Sequence, residues 1–352
     1  MNKRRPVELL SLTLLLHACT RTEPAEHEKF TNTYSMFSVS NVVESLRSCG
    51  MDEWGYTSSF PADCTSSTVS TPDTWPATFP LCGGSMQSPV ELRFLQSVYK
   101  PMSPMHFFNY DYEMALDVQI IGTNLLLFPN SSRLAVFGGP LKVEYTFVMG
   151  AFHFGKGEFD GSEHKIDSTG YAAELQLIHY TETNIGINCF KGVNGLLALA
   201  ILFKQVPANN SELDEFISNI PQVRASADKP TTIPNFYLSS FMPQSTINFY
   251  LYSGSLTFPP CTERLITVVF ERAVSIGKSQ LEALRTLKGQ LKHARCKLDI
   301  AGNTRIAPAR GSARPIYRSF RFIPSQRATT TSCPTSLTML ACLVIFHFNS
   351  FE

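Results

Sequence analysis

Short apolar runs broken by turn residues recur along most of this chain, and their spacing predicts strands more often than helices. Ala115–Ile121, Leu125–Phe128, Val143–Phe154, Ala172–His179, Ile247–Tyr252 and Leu265–Arg272 have the length and composition of strands. Three segments read as helices: Gly195–Phe203, Glu212–Ile217 and Lys278–Leu287, the last with Leu281, Leu284 and Leu287 at helical spacing. Residues 21–48 are polar and weakly periodic, and read as a loose lead-in. No internal repeat or long low-complexity linker interrupts the pattern. The fold class is therefore mainly β (α+β), with a single sheet-dominated domain over residues 49–322.

Both ends depart from this pattern. Residues 1–20 join a basic start (Lys3, Arg4, Arg5) to the run Leu9-Leu-Ser-Leu-Thr-Leu-Leu-Leu16 and then to small Ala18-Cys19, the layout of a secretory signal peptide. Leu16-His-Ala-Cys19 also has a faint likeness to a lipoprotein cleavage site, which the bulky His17 opposes. In the tail, 323–352, Arg327-Ala-Thr-Thr-Thr-Ser-Cys-Pro-Thr-Ser336 precedes the apolar stretch Leu337–Phe348. Small residues, a polar spacer and an apolar end resemble a glycolipid (GPI) anchor signal, and the plainer alternative is a greasy, unstructured terminus. The stretch is shorter than the roughly 17–25 residues of a spanning helix.

A chain of 352 residues suffices for a large core, and its formal charge of +1 gives no electrostatic field for nucleic acid. The nine cysteines fit an oxidising compartment. Setting aside Cys19 in the leader and Cys333 and Cys342 in the tail leaves Cys49, Cys64, Cys82, Cys189, Cys261 and Cys296, an even set whose pairing spacing alone does not resolve. The sequons at Asn130-Ser-Ser132 and Asn209-Asn-Ser211 are compatible with a secreted, membrane-anchored glycoprotein.

The chemistry turns on Phe147-Val-Met-Gly-Ala-Phe-His-Phe-Gly155. Residues i and i+2 of a strand share a face, so a His-x-His pair aims two imidazoles at one metal ion. Here His153 stands alone, because the position two residues upstream is Ala151. A lone histidine on a sheet face is more often a satisfied core residue than a ligand.

Seven motifs, in order, resemble the α-type carbonic anhydrases: Trp54-Gly-Tyr56, Cys82-Gly-Gly-Ser-Met-Gln-Ser-Pro-Val90, Gly138-Gly-Pro-Leu141, Gly161-Ser-Glu-His164, Tyr171-Ala-Ala-Glu-Leu-Gln-Leu-Ile-His179, Ser255-Leu-Thr-Phe-Pro-Pro260 and Asn303-Thr-Arg305. The resemblance implies a large twisted, mostly antiparallel central sheet with short peripheral helices. It also implies zinc on three imidazoles, with a bound water whose pKa falls to about 7 and whose hydroxide attacks CO2. Carried onto this sequence, with Tyr145 setting the register, the three ligand positions fall on Ala151, His153 and Gln176. A glutamine at the third position is similar to the eta class of protozoan enzymes. Thr257 and Glu163 match the pair that orients the bound hydroxide. The proton-shuttle position falls on Thr123, Phe258 replaces a small or polar residue, and Thr267 and Met149 stand at positions normally held by tryptophan and glutamine. Cys82 and Cys261 match a disulfide of secreted members, and by elimination Cys49 would pair with Cys64 and Cys189 with Cys296.

The resemblance thus implies a carbonic anhydrase-related protein with vestigial ligands His153 and Gln176 and a vestigial second shell of Thr257 and Glu163. It would be a non-catalytic module of the secretory pathway or cell surface, with a protein partner or a lipid anchor and no cofactor. The alternatives are an active eta-like enzyme, taking zinc and CO2/bicarbonate through a third ligand drawn from residues such as Glu163, His164 or Lys156, and a metal-free small-ligand pocket. Leu256, Phe258, Ile178 and Phe154 would supply the walls of such a pocket.

Overall fold

The computed structural model describes residues 39–56, 69–130, 133–181, 195–226, 229–292, 296–308 and 314–322. The segments expected to be a signal peptide, 1–20, and an anchor signal, 323–352, lie outside them. The chain divides into two units, Met1–Phe320 and Arg321–Glu352, and of the second only Arg321 and Phe322 are described.

One thirteen-stranded sheet dominates the larger unit. Its strands are β1 (Val98–Tyr99), β2 (Met105–Phe108), β3 (Met114–Ile121), β4 (Asn124–Pro129), β5 (Ala135–Gly138), β6 (Tyr145–Phe154), β7 (Ala173–Tyr180), β8 (Leu196–Val206), β9 (Thr231–Phe236), β10 (Phe249–Ser255), β11 (Glu263–Phe270), β12 (Val274–Gly277) and β13 (Tyr317–Arg318). They run in the order β9-β3-β4-β6-β7-β8-β11-β10-β13-β1, while β12 pairs with β8, and β5 joins β2 to β6. Neighbours are mostly antiparallel; β8–β11, β8–β12 and β13–β1 are parallel. Helices stay short: α1 (Val39–Ser48), α2 (Trp75–Thr78), α3 (Asp214–Ser218), α4 (Ile220–Ala225) and α5 (Lys278–Arg285). Among the described residues no helix is long and apolar enough to cross a membrane.

The six expected strands appear as β3, β4, β6, β7, β10 and β11, and the expected helix at 278–287 as α5, with Leu281 and Leu284 buried. Gly195–Phe203 is corrected: the segment is β8, not a helix. Flanked by β7 and β11, it is buried on both faces from Leu196 to Phe203. A continuous apolar run fits such a strand and a buried helix equally well. The loose lead-in over 21–48 is corrected in its last part as well. Residues 39–48 form α1, with Val42 and Leu46 buried one helical turn apart.

Alternation along the strands separates two apolar clusters. Phe152, Phe154, Leu175, Leu177, Leu197, Leu199 and Ile201 belong to the larger one, on one face. Met149, Ala151, Ile178, Ala198, Leu126 and Phe128 point the other way into a second cluster, with Leu256, Phe258 and the aromatic group Trp54, Tyr56 and Trp75.

Cys82 and Cys261 are joined by a disulfide, as the resemblance implied, across 179 positions of sequence. Cys49 and Cys296 are also disulfide-bonded; Cys64 and Cys189 lie outside the described residues, so both expected pairings do too. The bridge ties the Cys82–Val90 turn to the loop carrying Thr257. Replacing both Cys82 and Cys261 by Ser is expected to cost about 2–5 kcal/mol, read as a lower urea midpoint under non-reducing conditions.

Candidate functional site

The site grows from one row of the sheet. Register places Ala151 of β6 beside Leu126 of β4 on one side and Gln176 of β7 on the other, and sets His153 opposite Glu174. His153, Gln176 and Glu174 therefore share a face with Ala151, as alternation requires.

Each polar group there is held from more than one side. His153 Nδ1 donates to the Asn303 carbonyl at 2.7 Å. A carbonyl only accepts, so a hydrogen sits on Nδ1. Nε2 has no hydrogen-bond partner and lies 3.6 Å from Glu163 Oε2. Asn303 also clamps the end of β6, accepting from Phe154 N at 3.0 Å and donating to the Phe152 carbonyl at 2.9 Å. The Gln176 amide nitrogen bridges two carboxylates, donating to Glu163 Oε2 at 2.7 Å and to Glu174 Oε1 at 2.8 Å. Its oxygen accepts from the Thr257 hydroxyl at 3.1 Å. Glu163 Oε1 accepts from Arg305 N at 2.8 Å.

Glu174 is the best-served anion. Its Oε2 accepts from the backbone of Glu163 and His164 at 2.9 and 2.8 Å, and Oε1 accepts from His164 Nδ1 at 2.7 Å. Burial alone would raise this carboxyl, but His164 and its hydrogen bonds outweigh it and bring the pKa down to about 2. Burial likewise opposes charge on His164, yet Glu174 and Tyr252 raise it to about 10. His164 is thus an imidazolium that donates from Nε2 to the Tyr252 hydroxyl at 2.7 Å. Burial pushes Glu163 above the usual carboxylate range, and Glu174 adds to the push.

On the opposite face of β7, against Tyr110 and Phe147 of the larger cluster, His179 goes the other way. Its Nδ1 donates to the Leu177 carbonyl at 2.9 Å, and Nε2 accepts from the Tyr110 hydroxyl at 2.5 Å. No carboxylate faces it in these bonds, and burial lowers it to about 3.

His153, Glu163, Gln176 and Thr257 are brought together, with Ala151, Ile178, Leu256 and Phe258 as apolar neighbours. Phe154 is corrected: it faces the larger cluster, because it follows His153 directly and the strand alternates. Phe258 lies over Trp54, ring centroids 6.3 Å apart and planes within 11°. Thr123, Met149 and Thr267 are buried. Lys156 pairs with Asp299 at 3.6 Å on the surface, and His164 is spent on Glu174. Neither completes a ligand set. The partners that the sequence reading left without a role are the Asn303 carbonyl, Tyr252 and Arg305. Asn303-Thr-Arg305 was visible as a motif, but hydrogen bonds between positions 150 residues apart leave no local signal.

Zinc needs at least three converging donors. Ala151 offers a methyl group, both Gln176 N–H groups serve carboxylates, and its oxygen is taken by Thr257. Of the three ligand positions, His153 alone offers a donor without a hydrogen-bond partner, its Nε2. No group of three His, Cys, Asp or Glu side chains among the described residues is arranged to hold a metal. The residues present do not fit the ion.

The sequence model of eukaryotic-type carbonic anhydrases matches residues 70–320. Carbonic anhydrase 1 of Mus musculus is 31% identical over 243 residues, which are 67% of this chain and 87% of that protein. Carbonic anhydrase 5A, mitochondrial, of Homo sapiens is 30% identical over 222 residues, 60% of this chain and 70% of that protein.

Two predictions follow the geometry. Replacing Ala151 and Gln176 together by His sets three imidazoles on one face. That variant is expected to retain close to stoichiometric zinc by mass spectrometry after dialysis, where the parent retains little, with an overpacking cost of about 1–3 kcal/mol. Stability against pH is expected to peak near the ordinary histidine value of 6.5. His164 binds its proton more tightly when folded, so its contribution is complete below 6.5 and is lost as pH rises toward about 10. His179 binds its proton less tightly, so its contribution is complete above 6.5 and is lost as pH falls toward about 3, with Glu174 adding a further loss between 4.5 and about 2. Each histidine supplies a slope of about 1.4 kcal/mol per pH unit, and His179→Phe is expected to flatten the acid limb alone in urea titrations run across pH.

Proposed function

The chain belongs to the eukaryotic-type carbonic anhydrase family, and from that premise we propose that it uses the family's fold without the family's chemistry. It works as a binding or structural module of the secretory pathway, anchored to a membrane through its C-terminal tail. The observation that carries this reading is Ala151 facing Gln176 across β6 and β7, which leaves His153 as a single imidazole where hydration of CO2 requires a metal-bound hydroxide. Thr257 and Glu163 support it too. Gln176 donates to the carboxylate and accepts from the hydroxyl, which also bonds to Glu163, so an amide takes up the hydrogen bonds of this pair.

Secretion and anchoring rest on the basic–apolar leader, the bonded cysteines and the Leu337–Phe348 stretch. One relative named above is described as mitochondrial, and that location is its own.

A second reading, an active eta-like enzyme, has one observation in its favour. The Asn303 carbonyl holds a hydrogen on His153 Nδ1, so in a neutral ring Nε2 is the nitrogen that would face a metal. On that reading Gln176 supplies an amide oxygen and CO2/bicarbonate are the substrates.

Metal analysis and stopped-flow CO2 hydration on one preparation of the secreted protein separate the two. The first reading expects substoichiometric zinc and a hydration rate equal to buffer. Bound zinc near one equivalent, with hydration that an aryl sulfonamide abolishes, sinks it. A rate that survives His153→Ala sinks the second.

A further inference from the structure

Two asparagines stand side by side between β8 and α3, and the fold treats them differently. Asn210 is engaged at every polar group. Its backbone N–H donates to Gln280 Oε1 at 3.0 Å, and its carbonyl accepts from Gln280 Nε2 at 2.8 Å. Its side chain accepts from Glu212 N at 3.2 Å and donates to the Ser275 carbonyl at 2.9 Å. Asn209, by contrast, is exposed. Its Oδ1 accepts from the Ser279 hydroxyl of α5 at 2.6 Å and lies against Gly277, where a Cβ would sit 2.3 Å from it. Those contacts hold the carbonyl edge of the amide toward the protein. The nitrogen edge is left over: among the described residues Asn209 Nδ2 has no hydrogen-bond partner.

The tripeptide rule selects the same residue. Ser211, two positions after Asn209, carries the required hydroxyl and is exposed at the start of a 3-10 turn, Ser211–Leu213. Asn210 has Glu212 at that distance and heads no such tripeptide. The other candidate, Asn130, has its nitrogen in use. Asn130 Nδ2 donates to Asp117 Oδ2 at 3.0 Å, and Asp117 is a buried carboxylate whose other oxygen accepts from the Thr232 hydroxyl. A sugar on that nitrogen crowds a donor that a buried anion needs.

We propose that Asn209 is an N-glycosylation site of the folded protein, occupied in preference to Asn130. The inference rests on the secretory reading above and goes beyond it by assigning the residue. The donor class is an oligosaccharide joined through its first sugar to a lipid diphosphate. Nδ2 loses one proton and bonds to the anomeric carbon. The bond from that carbon to the diphosphate oxygen breaks, and the lipid diphosphate leaves with the electron pair. The amide carbonyl is untouched, so the Ser279 hydrogen bond survives and the glycan projects from a nitrogen with no other partner.

The test expresses the full chain in cultured animal cells, once behind its own leader and once with residues 1–20 replaced by a standard cleaved signal peptide. Occupancy is read on protein that has lost its signal and carries the Cys82–Cys261 disulfide. Peptide-N-glycosidase is expected to produce one mobility step, abolished by Asn209→Gln and by Ser211→Ala and kept by Asn130→Gln. Ser211→Ala leaves the Asn209–Ser279 bond in place, which separates loss of the glycan from any effect on folding. Digestion in heavy-oxygen water, followed by peptide mass spectrometry, should label Asn209 more fully than Asn130. No label at Asn209 behind the standard signal overturns the proposal, as does equal or higher labelling of Asn130. Labelling of Asn209 behind the standard signal, with none behind the chain's own leader, upholds the site and sinks the secretory reading instead.

Discussion

Two carboxylates, Glu163 and Glu174, lie in a dry interior within hydrogen-bond reach of a single amide nitrogen, and the surrounding structure is arranged to make that tolerable. A buried anion is costly unless it is paired and hydrogen-bonded. Glu174 is relieved by the His164 imidazolium and two backbone N–H groups, Glu163 by the Arg305 backbone. Between them sits Gln176, whose amide nitrogen gives one hydrogen to each. An imidazole in its place has a single hydrogen to give once its other nitrogen is held for a metal. Glutamine is thus the side chain that joins both acids with no cation present. The same bridge fixes which way the amide oxygen points, and so what Thr257 bonds to.

That constraint explains why so many family motifs persist around an incomplete ligand set. Gln87 donates to the Cys261 carbonyl, Arg305 donates to Gln87, Ser88 and Cys82, and the disulfide closes the same corner. Removing any one of these groups leaves a buried partner unpaired, at a cost of about 1–3 kcal/mol. Selection for folding alone is enough to hold them. A preserved signature therefore attests the scaffold, and the chemistry has to be argued from the donors themselves.

The sequence was most legible where a residue's neighbours are local or set by strand period. Six strands, α5 and the facing of His153 and Ala151 follow from alternation and helical spacing, and Ala151 is visible as a missing donor. β8 was lost because both of its faces are covered, which erases the period that separates strand from helix. α1 was lost because its apolar residues, Val39, Val42, Val43 and Leu46, end a long polar stretch and cover a single helical span, a weak signal until the surface that buries Val42 and Leu46 is known. Phe154 was assigned to the wrong wall although the period was in hand, since its parity is opposite to that of His153. The opposite titration of His164 and His179 was beyond sequence altogether. Both are buried, and the sign turns on whether a carboxylate is met: His164 bonds to Glu174, whereas His179 gives its Nδ1 hydrogen to the Leu177 carbonyl and is left to the effect of burial.

Access and donors bear on the pocket separately, yet they point the same way. A catalytic pocket needs a path for substrate, and its apolar wall is tolerated because function keeps it open. Once the donors are reduced to His153, an open pocket walled by Ile178, Leu256 and Phe258 offers exposed apolar surface with nothing in return. Burying those walls in one apolar cluster converts that liability into core, stabilising by roughly 1.5–3 kcal/mol for each side chain fully buried. The exchange also accounts for Phe258: a large ring in a working pocket obstructs, whereas in a filled interior it fills volume and stacks on Trp54. The aromatic filling and the glutamine bridge then suit one another: each fits an interior in which three imidazoles do not converge.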